Sequence, residues 1–219
     1  MYVCDIMTTN VVTIPSSTSI ADAKRIMTAH RIERLPIVDK GELKGIVTAR
    51  RLEQVSPSKA TSLTVWELSY LLQTTTVKEI MEKDVVTTTP DMTYEEALAI
   101  AQSHKVGSLV VLEDNRVVGI VTTNDFFYKI INPLLGLGKA GVLLPGARIE
   151  ILGGVEEKAL EEIISTINSL EMKITALCMR PQEEGTKKSI IIHLDSEDVS
   201  QLVAKLKDKG YQANLRKRS

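Results

Sequence analysis

The sequence repeats itself, and the repeat limits the fold more than any other feature. Val3-Cys-Asp-Ile-Met7 aligns with Val77-Lys-Glu-Ile-Met81, an offset of 74 positions. At the same offset Val11-Val12-Thr13 meets Val85-Val86-Thr87, and Ala23, His30 and Leu35 meet Ala97, His104 and Leu109. Gly45-Ile46-Val47-Thr48 then meets Gly119-Ile120-Val121-Thr122 without a gap. Agreement at one fixed offset marks two copies of one supersecondary unit.

Each copy reads as β-α-β-β-α. A short apolar strand, 11–14 or 85–88, leads into a helix. That helix carries apolar residues at helical spacing: Ile20, Ala23, Ile26 and Met27, then Tyr94, Ala97, Leu98 and Ala101. Thr93-Tyr-Glu-Glu96 has the form of a capping box. Two strands follow, 35–38 and 43–47, then 109–112 and 117–121. Asp39-Lys40-Gly41 and Asp114-Asn115 supply the turns between them. A short helix follows each Gly-Ile-Val-Thr. One such unit cannot cover both faces of its own sheet, so two copies are expected to pack with pseudo-twofold symmetry and leave clefts between them.

The organisation follows from the repeat: a first motif over 1–53, a helical insert over 54–76, a second motif over 77–132. In the insert, Ser56-Pro57-Ser58 marks a break. Val65, Leu68, Leu71 and Leu72 fall at helical spacing beside Trp66, the single tryptophan; the helix is expected to pack on the repeat pair or on a partner chain, with stacking as the alternative role of Trp66. A Gly-rich stretch over 133–146 lacks the Gly-Lys-Ser/Thr ending of a phosphate loop and reads as a linker. From 147 to 219 the order is strand (149–152), amphipathic helix (Leu160, Ile163, Ile164, Ile167, Leu170), strand (173–179), polar loop (181–188), buried strand (189–194), helix (Val199, Leu202, Val203, Leu206), Gly210, and a last strand (211–215). This β-α-β-β-α-β order is the split, ferredoxin-like arrangement, with both helices on one face of a four-stranded antiparallel sheet. The fold class is therefore α+β.

Charge and composition exclude several functions. The formal net charge is −1 and the pI about 6.3, which gives no broad positive field for nucleic acid. Arg216, Lys217 and Arg218 read as a solvated end. Cys4 and Cys178 form no C-x-x-C pair, and His30, His104 and His193 have no metal-ligand spacing. The paired positions of His30 and His104 suggest helix ends, and His193 sits in the buried strand. No apolar run reaches the ~20 residues of a membrane helix, and the first residues do not read as a signal peptide. A cytoplasmic location is expected. There is no Gly-x-Ser-x-Gly, phosphate loop or zinc set, so no catalysis is expected.

Three features give the repeat a resemblance to the CBS motif: the Val-x-x-Ile-Met openings, Leu35-Pro-Ile-Val-Asp39, and Gly119-Ile-Val-Thr-x-x-Asp125. The segment from 147 resembles an ACT domain. The whole order is similar to the acetoin-utilisation regulatory proteins of bacteria. The resemblance implies a non-catalytic regulator that binds an adenosine-containing ligand (AMP, ADP, ATP, S-adenosylmethionine or NAD) between the repeats, with no cofactor required. A carboxylate can accept both ribose hydroxyls and a neighbouring hydroxyl can hold the sugar and phosphate side, roles for Asp125 and Thr122. The helix start nearby favours phosphate. By resemblance the adenine walls come from Met7, Val12 and Ile32, with Ile120 below, and the backbone around Thr13 reads the adenine rim. Arg34 stands where the family often places a phosphate-binding arginine; a surface ion pair is its alternative. An isolated Thr-x-x-Asp would be helix capping.

The first repeat has Arg51 where the second has Asp125, and arginine cannot accept ribose hydroxyls. One competent and one degenerate cleft are expected, with Arg51 reaching a phosphate or plugging its cleft. The resemblance also implies an amino acid at the ACT-like domain near Gly153-Gly154, a homodimer, and a protein partner that reads the signal. The alternative function is a ligand-free interaction subunit of a metabolic enzyme or transporter. No nucleic-acid or membrane partner is expected.

Overall fold

A computed structural model of the chain describes residues 1–55, 64–138, 142, 145–153, 156–180 and 188–217. The expected Ser56–Ser58 break, the 181–187 loop, Gly154 and Arg218 lie outside the described residues. The chain divides into two units, Met1–Phe126 and Phe127–Ser219.

In the first unit, repeat one contains α1 (Val3–Ile6), α2 (Ile20–His30), β1 (Arg34–Asp39), β2 (Glu42–Thr48) and α3 (Ala49–Gln54). The insert supplies α4 (Val65–Thr74). Repeat two contains a 3-10 turn (Val77–Glu79), β3 (Thr87–Thr88), α5 (Tyr94–Ser103), β4 (Ser108–Glu113), β5 (Arg116–Thr122) and α6 (Thr123–Phe126). The helix starts are set by local hydrogen bonding. Ser19 Oγ accepts from Asp22 N–H at α2, and Thr93 and Glu96 cap α5 reciprocally. His30 closes α2 and His104 is the C-cap of α5, as their paired positions suggest.

The pseudo-symmetry extends to the backbone. Arg31 and its counterpart Lys105 both leave their helices in the left-handed region, at φ 54° and 55°. Both hairpins turn through two positive-φ residues, Lys40-Gly41 and Asp114-Asn115, which matches the right-handed twist of the strands they join. β1 pairs antiparallel with β2 and β4 with β5, each with an irregularity at the equivalent step, Ile37/Val38 and Val111/Leu112.

The leading strands are shorter than the sequence predicts. Repeat one keeps a single parallel bridge from Ile14 to Ile37; repeat two keeps Thr87–Thr88 alongside β4. The residues lost are at the start of each run; past Ile14 the ladder stops at Pro15, which has no N–H, and Ser16 N–H goes to Asp39 Oδ1 at 2.9 Å.

The opening turn of each repeat packs on the other repeat. Val3 N–H donates to Met92 O and Cys4 N–H to Pro90 O (2.9 Å each). In mirror fashion Val77 N–H donates to Thr18 O and Lys78 N–H to Ser16 O (2.8 and 3.2 Å). Val3, Ile6 and Val77 are fully buried. Each repeat thus completes its partner, which is why one copy alone is too small.

Trp66 is 86% exposed, so among the described residues it does not meet the expectation of packing on the repeat pair. The reason is the phase of α4: Leu72 packs against the repeat-one core, while Trp66 and Tyr70, four residues apart, share an exposed face.

The second unit begins inside a helical stretch. α6 is followed by a π-helical turn (Phe127–Ile131) and α7 (Asn132–Leu134). Pro133 cannot donate to the carbonyl four residues earlier, and the wider turn lies just before it. Residues 133–134 are therefore helical where the sequence reads as linker. Then come β6 (Ala147–Leu152), α8 (Glu157–Asn168), β7 (Ile174–Arg180), β8 (Ser189–Leu194), α9 (Ser200–Asp208) and β9 (Gln212–Lys217). The sheet order is β7-β8-β6-β9, with antiparallel neighbours throughout. Ile163 and Ile167 of α8, with Leu202 and Leu206 of α9, share one core with Ile149, Ile151, Ile190, Ile192 and Leu194, so both helices cover the same face. Gly210 follows α9 at φ 90°, the left-handed position glycine favours after a helix. Arg216 and Lys217 are not a free tail: they lie in β9, paired with Arg148 and Ala147. His193 is buried in β8, as expected.

Glu162 ties α8 to the end of α9. Lys209 Nζ and Tyr211 Oη donate to its two oxygens at 2.7 Å each. The Lys209 bond, then that of Tyr211, holds the Glu162 carboxyl below the usual glutamate range, and the same bond holds the Tyr211 phenol above its own. A lowered folded-state pKa stabilises fully above the ordinary value of about 4.3 and is lost as pH falls through the folded value. Glu162→Gln is therefore expected to flatten the acid limb of stability below pH about 4.3. Thermal melting across that range checks it; parallel acid limbs for the two proteins would contradict it.

Candidate ligand-binding cleft

The second candidate site lies where β5 runs into α6. Thr122 N–H and Oγ1–H both donate to Asp125 Oδ2 (2.9 and 2.7 Å), and Asp125 N–H donates to Thr122 Oγ1 at 3.4 Å. This is a reciprocal cap of the helix start, so the capping role that an isolated Thr-x-x-Asp suggests is present. It also fixes a half-buried carboxylate beside a hydroxyl in one orientation.

The opening segment of the first repeat runs against β5. Thr8 N–H donates to Ile120 O and Ile120 N–H to Thr8 O (2.9 and 3.0 Å), which seats Met7 over Gly119. Met7 and Ile120 are half-buried. Arg34, also half-buried, reaches across to repeat two: a Cβ at Gly107 would come within 2.8 Å of its Nη2. Gly107 O accepts from both Thr123 N–H and Thr123 Oγ1–H (3.2 and 3.0 Å), so Arg34 stands beside the start of α6. Its ion pair with Glu33 is long, at 3.9 Å. Val12 and Ile32 are half-buried against the repeat-one core, and Thr13 is exposed. The structure thus pairs Thr122 with Asp125, sets Met7 against the strand of Ile120, and puts Arg34 beside the start of α6, where it also borders a repeat-one cavity; Val12, Thr13 and Ile32 belong to the repeat-one side.

The first cleft has the same frame with different chemistry. Ile46 and Glu82 exchange two backbone hydrogen bonds at 2.9 Å, and Met81 lies over Gly45. Arg51 Nε donates to the Ile80 carbonyl at 3.3 Å, which holds the side chain along the wall. The cleft is open: a cavity of about 400 Å³ remains, bordered by Ile46, Thr48, Arg50, Arg51, Met81 and Glu82. Arg51 therefore does not plug it. A neighbouring cavity of about 390 Å³ is bordered by Arg34, Thr48 and Arg50. Sequence reasoning missed Arg50 and the openness of this cleft, although the 74-residue offset that maps Met7 onto Met81 carried the signal.

The glycine of each Gly-Ile-Val-Thr is required by these contacts. A Cβ at Gly119 would lie 2.5 Å from Met7 Sδ, and one at Gly45 would lie 2.8 Å from both Met81 Sδ and the Glu82 carbonyl oxygen. A methionine can swing aside; a backbone carbonyl in a ladder cannot. Gly45→Ala is therefore expected to destabilise more than Gly119→Ala, by about 1–3 kcal/mol against less than about 1 kcal/mol. Chemical denaturation of the two variants checks the order, and equal midpoints would contradict it.

Among the described residues no cluster of three or more His, Cys, Asp or Glu side chains could hold a metal ion, and no helix is long and apolar enough to cross a membrane.

Comparison with known proteins agrees with the repeat. The CBS domain family matches residues 3–56 and 77–132. An inosine-5'-monophosphate dehydrogenase of Korarchaeum cryptofilum is 34% identical over 141 residues, 64% of this chain and 26% of the dehydrogenase. The CBS domain-containing protein YhcV of Bacillus subtilis is 29% identical over 121 residues, 55% of this chain and 79% of that protein. The crystal structure of a protein assigned to acetoin utilization (AcuB) from Vibrio cholerae is 34% identical and covers 62% of this chain and 94% of that one, with a TM-score of 0.51. The chain thus spans about a quarter of the length of the dehydrogenase it matches.

Proposed function

Because this chain belongs to the CBS domain family, we propose that it is a regulatory module that senses an adenosine-containing ligand in the Asp125 cleft. The observation that carries this reading is the Thr122–Asp125 pair, fixed by its own hydrogen bonds at the end of the strand that Thr8 joins through Ile120. Asp125 accepts the two ribose hydroxyls and Thr122 holds the sugar and phosphate side. Met7 and Ile120 sandwich the adenine, Val12 and Ile32 extend the wall, and backbone groups around Thr13 read its edge. Arg34 pairs with phosphate. AMP, ADP, ATP, S-adenosylmethionine and NAD all present the adenosine this site reads.

The output is conformational. Ligand binding favours one arrangement of the two repeats, and a protein partner reads the change. In this reading the second unit is an ACT-like domain, which its β-α-β-β-α-β element order and its β7-β8-β6-β9 sheet support. Its role in this reading is to take an amino acid near Gly153 and to help pair two chains as a homodimer. The chain itself is non-catalytic and cytoplasmic in this reading and acts in the regulation of acetoin utilisation, a role that the likeness to AcuB supports. A second reading, a ligand-free interaction subunit, is favoured by one observation: Trp66 and Tyr70 stand exposed on one face of α4.

Thermal melting with each of the five ligands distinguishes the two. A ligand at 100 times its Kd stabilises by about 2.7 kcal/mol, so at least one is expected to raise the Tm. No shift with any of them favours the interaction subunit.

A further inference from the structure

The first cleft differs from the second at two consecutive positions, and also at Glu82, which stands where the second has Thr8. Arg50-Arg51 stand where the second repeat has Asn124-Asp125, a formal charge of +2 against −1. Yet the apolar frame is kept, with Ile46 and Met81 in the places of Ile120 and Met7, and the cleft is open by about 400 Å³. That volume lies within the range of small-molecule sites.

The two arginines are available to a ligand. Arg51 is fixed through Nε to the Ile80 carbonyl, which leaves the terminal nitrogens of its guanidinium directed elsewhere. Among the described residues neither Arg50 nor Arg51 forms an ion pair with a carboxylate; Glu82 borders the same cavity as the single acidic group. Thr48 Oγ1, which accepts from Arg51 N–H at 3.2 Å, adds a hydroxyl at the rim. Guanidinium groups present planar donor forks that match phosphate oxygens.

We infer that the first cleft is a second, chemically distinct binding site that takes a diphosphate group, held by Arg50 and Arg51 where the other cleft would hold a ribose. The inference goes beyond the adenosine reading of the Asp125 cleft and stands without it. The diphosphate has two sources: a free inorganic anion, or the phosphate end of a nucleotide whose base rests on Ile46 and Met81.

The test uses the full chain with Asp125→Ala, so that the second cleft is disabled. Isothermal titration with inorganic pyrophosphate, ADP and adenosine is then made on this chain and on the same chain with Arg50→Ala and Arg51→Ala, or with Arg51→Asp. Pyrophosphate is expected to bind near one per chain, to weaken at least tenfold in the double-alanine variant, and to weaken as salt rises. Adenosine is expected not to bind until Arg51→Asp restores an acceptor for the diol. ADP binding more tightly than pyrophosphate identifies the nucleotide source; equal binding identifies the free anion. Both arginines are exposed, so the variants are expected to fold, which circular dichroism checks. No pyrophosphate or ADP binding, or binding that survives the loss of both arginines, overturns the inference. Either result leaves Asp125-dependent binding in the parent chain unaffected, so the two proposals fail separately.

Discussion

Asp125→Ala is expected to weaken binding of the adenosine ligand about a hundredfold. The argument counts hydrogen bonds. A carboxylate that accepts two ribose hydroxyls makes two charge-assisted bonds, worth about 1.5–3 kcal/mol each. Losing about 3 kcal/mol corresponds to roughly a hundredfold in Kd. The substitution also removes the partner of Thr122 N–H and Oγ1–H, so the helix start loses its cap and about 1 kcal/mol of stability. Asp125→Asn separates these effects. It keeps the shape and an acceptor oxygen but not the charge, so its binding is expected to fall between parent and alanine. Equilibrium dialysis with the tightest of the five ligands measures the series. Equal affinity in all three proteins would remove Asp125 from the site.

Ile192→Ala is expected to be the most damaging change in the second unit. Ile192 is on β8, which has β7 on one side and β6 on the other, and it is 1% exposed in the core shared by α8 and α9. Truncation of a buried isoleucine costs about 2–5 kcal/mol, and a central site that cannot collapse falls in the upper half of that range. Ile191, one residue earlier, points to the other face of the sheet and is only half-buried. Ile191→Ala is expected to cost less than half as much. Urea unfolding of both variants, with unchanged m-values, checks the ranking. A larger loss at Ile191 would mean that the core lies on the opposite face.

What the sequence reveals follows from what repeats. The offset from Val3 to Val77 predicts both hairpins, both long helices and the equivalence of Thr48 with Thr122, because each of these depends on local spacing and turn residues. The exchange of opening turns is not local: Val3 finds Met92, and Val77 finds Thr18, across long stretches of chain. For the same reason Gly45 and Gly119 read as strand residues until Met81 and Met7 are placed on them. Trp66 misleads because large aromatics are usually buried, whereas the phase of α4 is set by Leu72. At the candidate sites, Thr122 and Asp125 are legible because they sit three residues apart in one motif. Arg50 is not, because its place in a cleft depends on Ile80, Met81 and Glu82 from the other repeat. The strand β9 extends to Lys217 because its partner β6 begins at Ala147, a pairing that the run of charges at the chain end hides.

The central claim is that the Asp125 cleft reads adenosine. Isothermal titration of the purified chain with AMP, ATP, S-adenosylmethionine and NADH, alongside Asp125→Ala, tests it most directly. The expected result is saturable binding of at least one of these that requires Asp125, with any residual nucleotide binding in the variant assigned to the arginine-lined cleft. Absence of binding by all four to the parent chain would contradict the account and leave a ligand-free interaction subunit in its place.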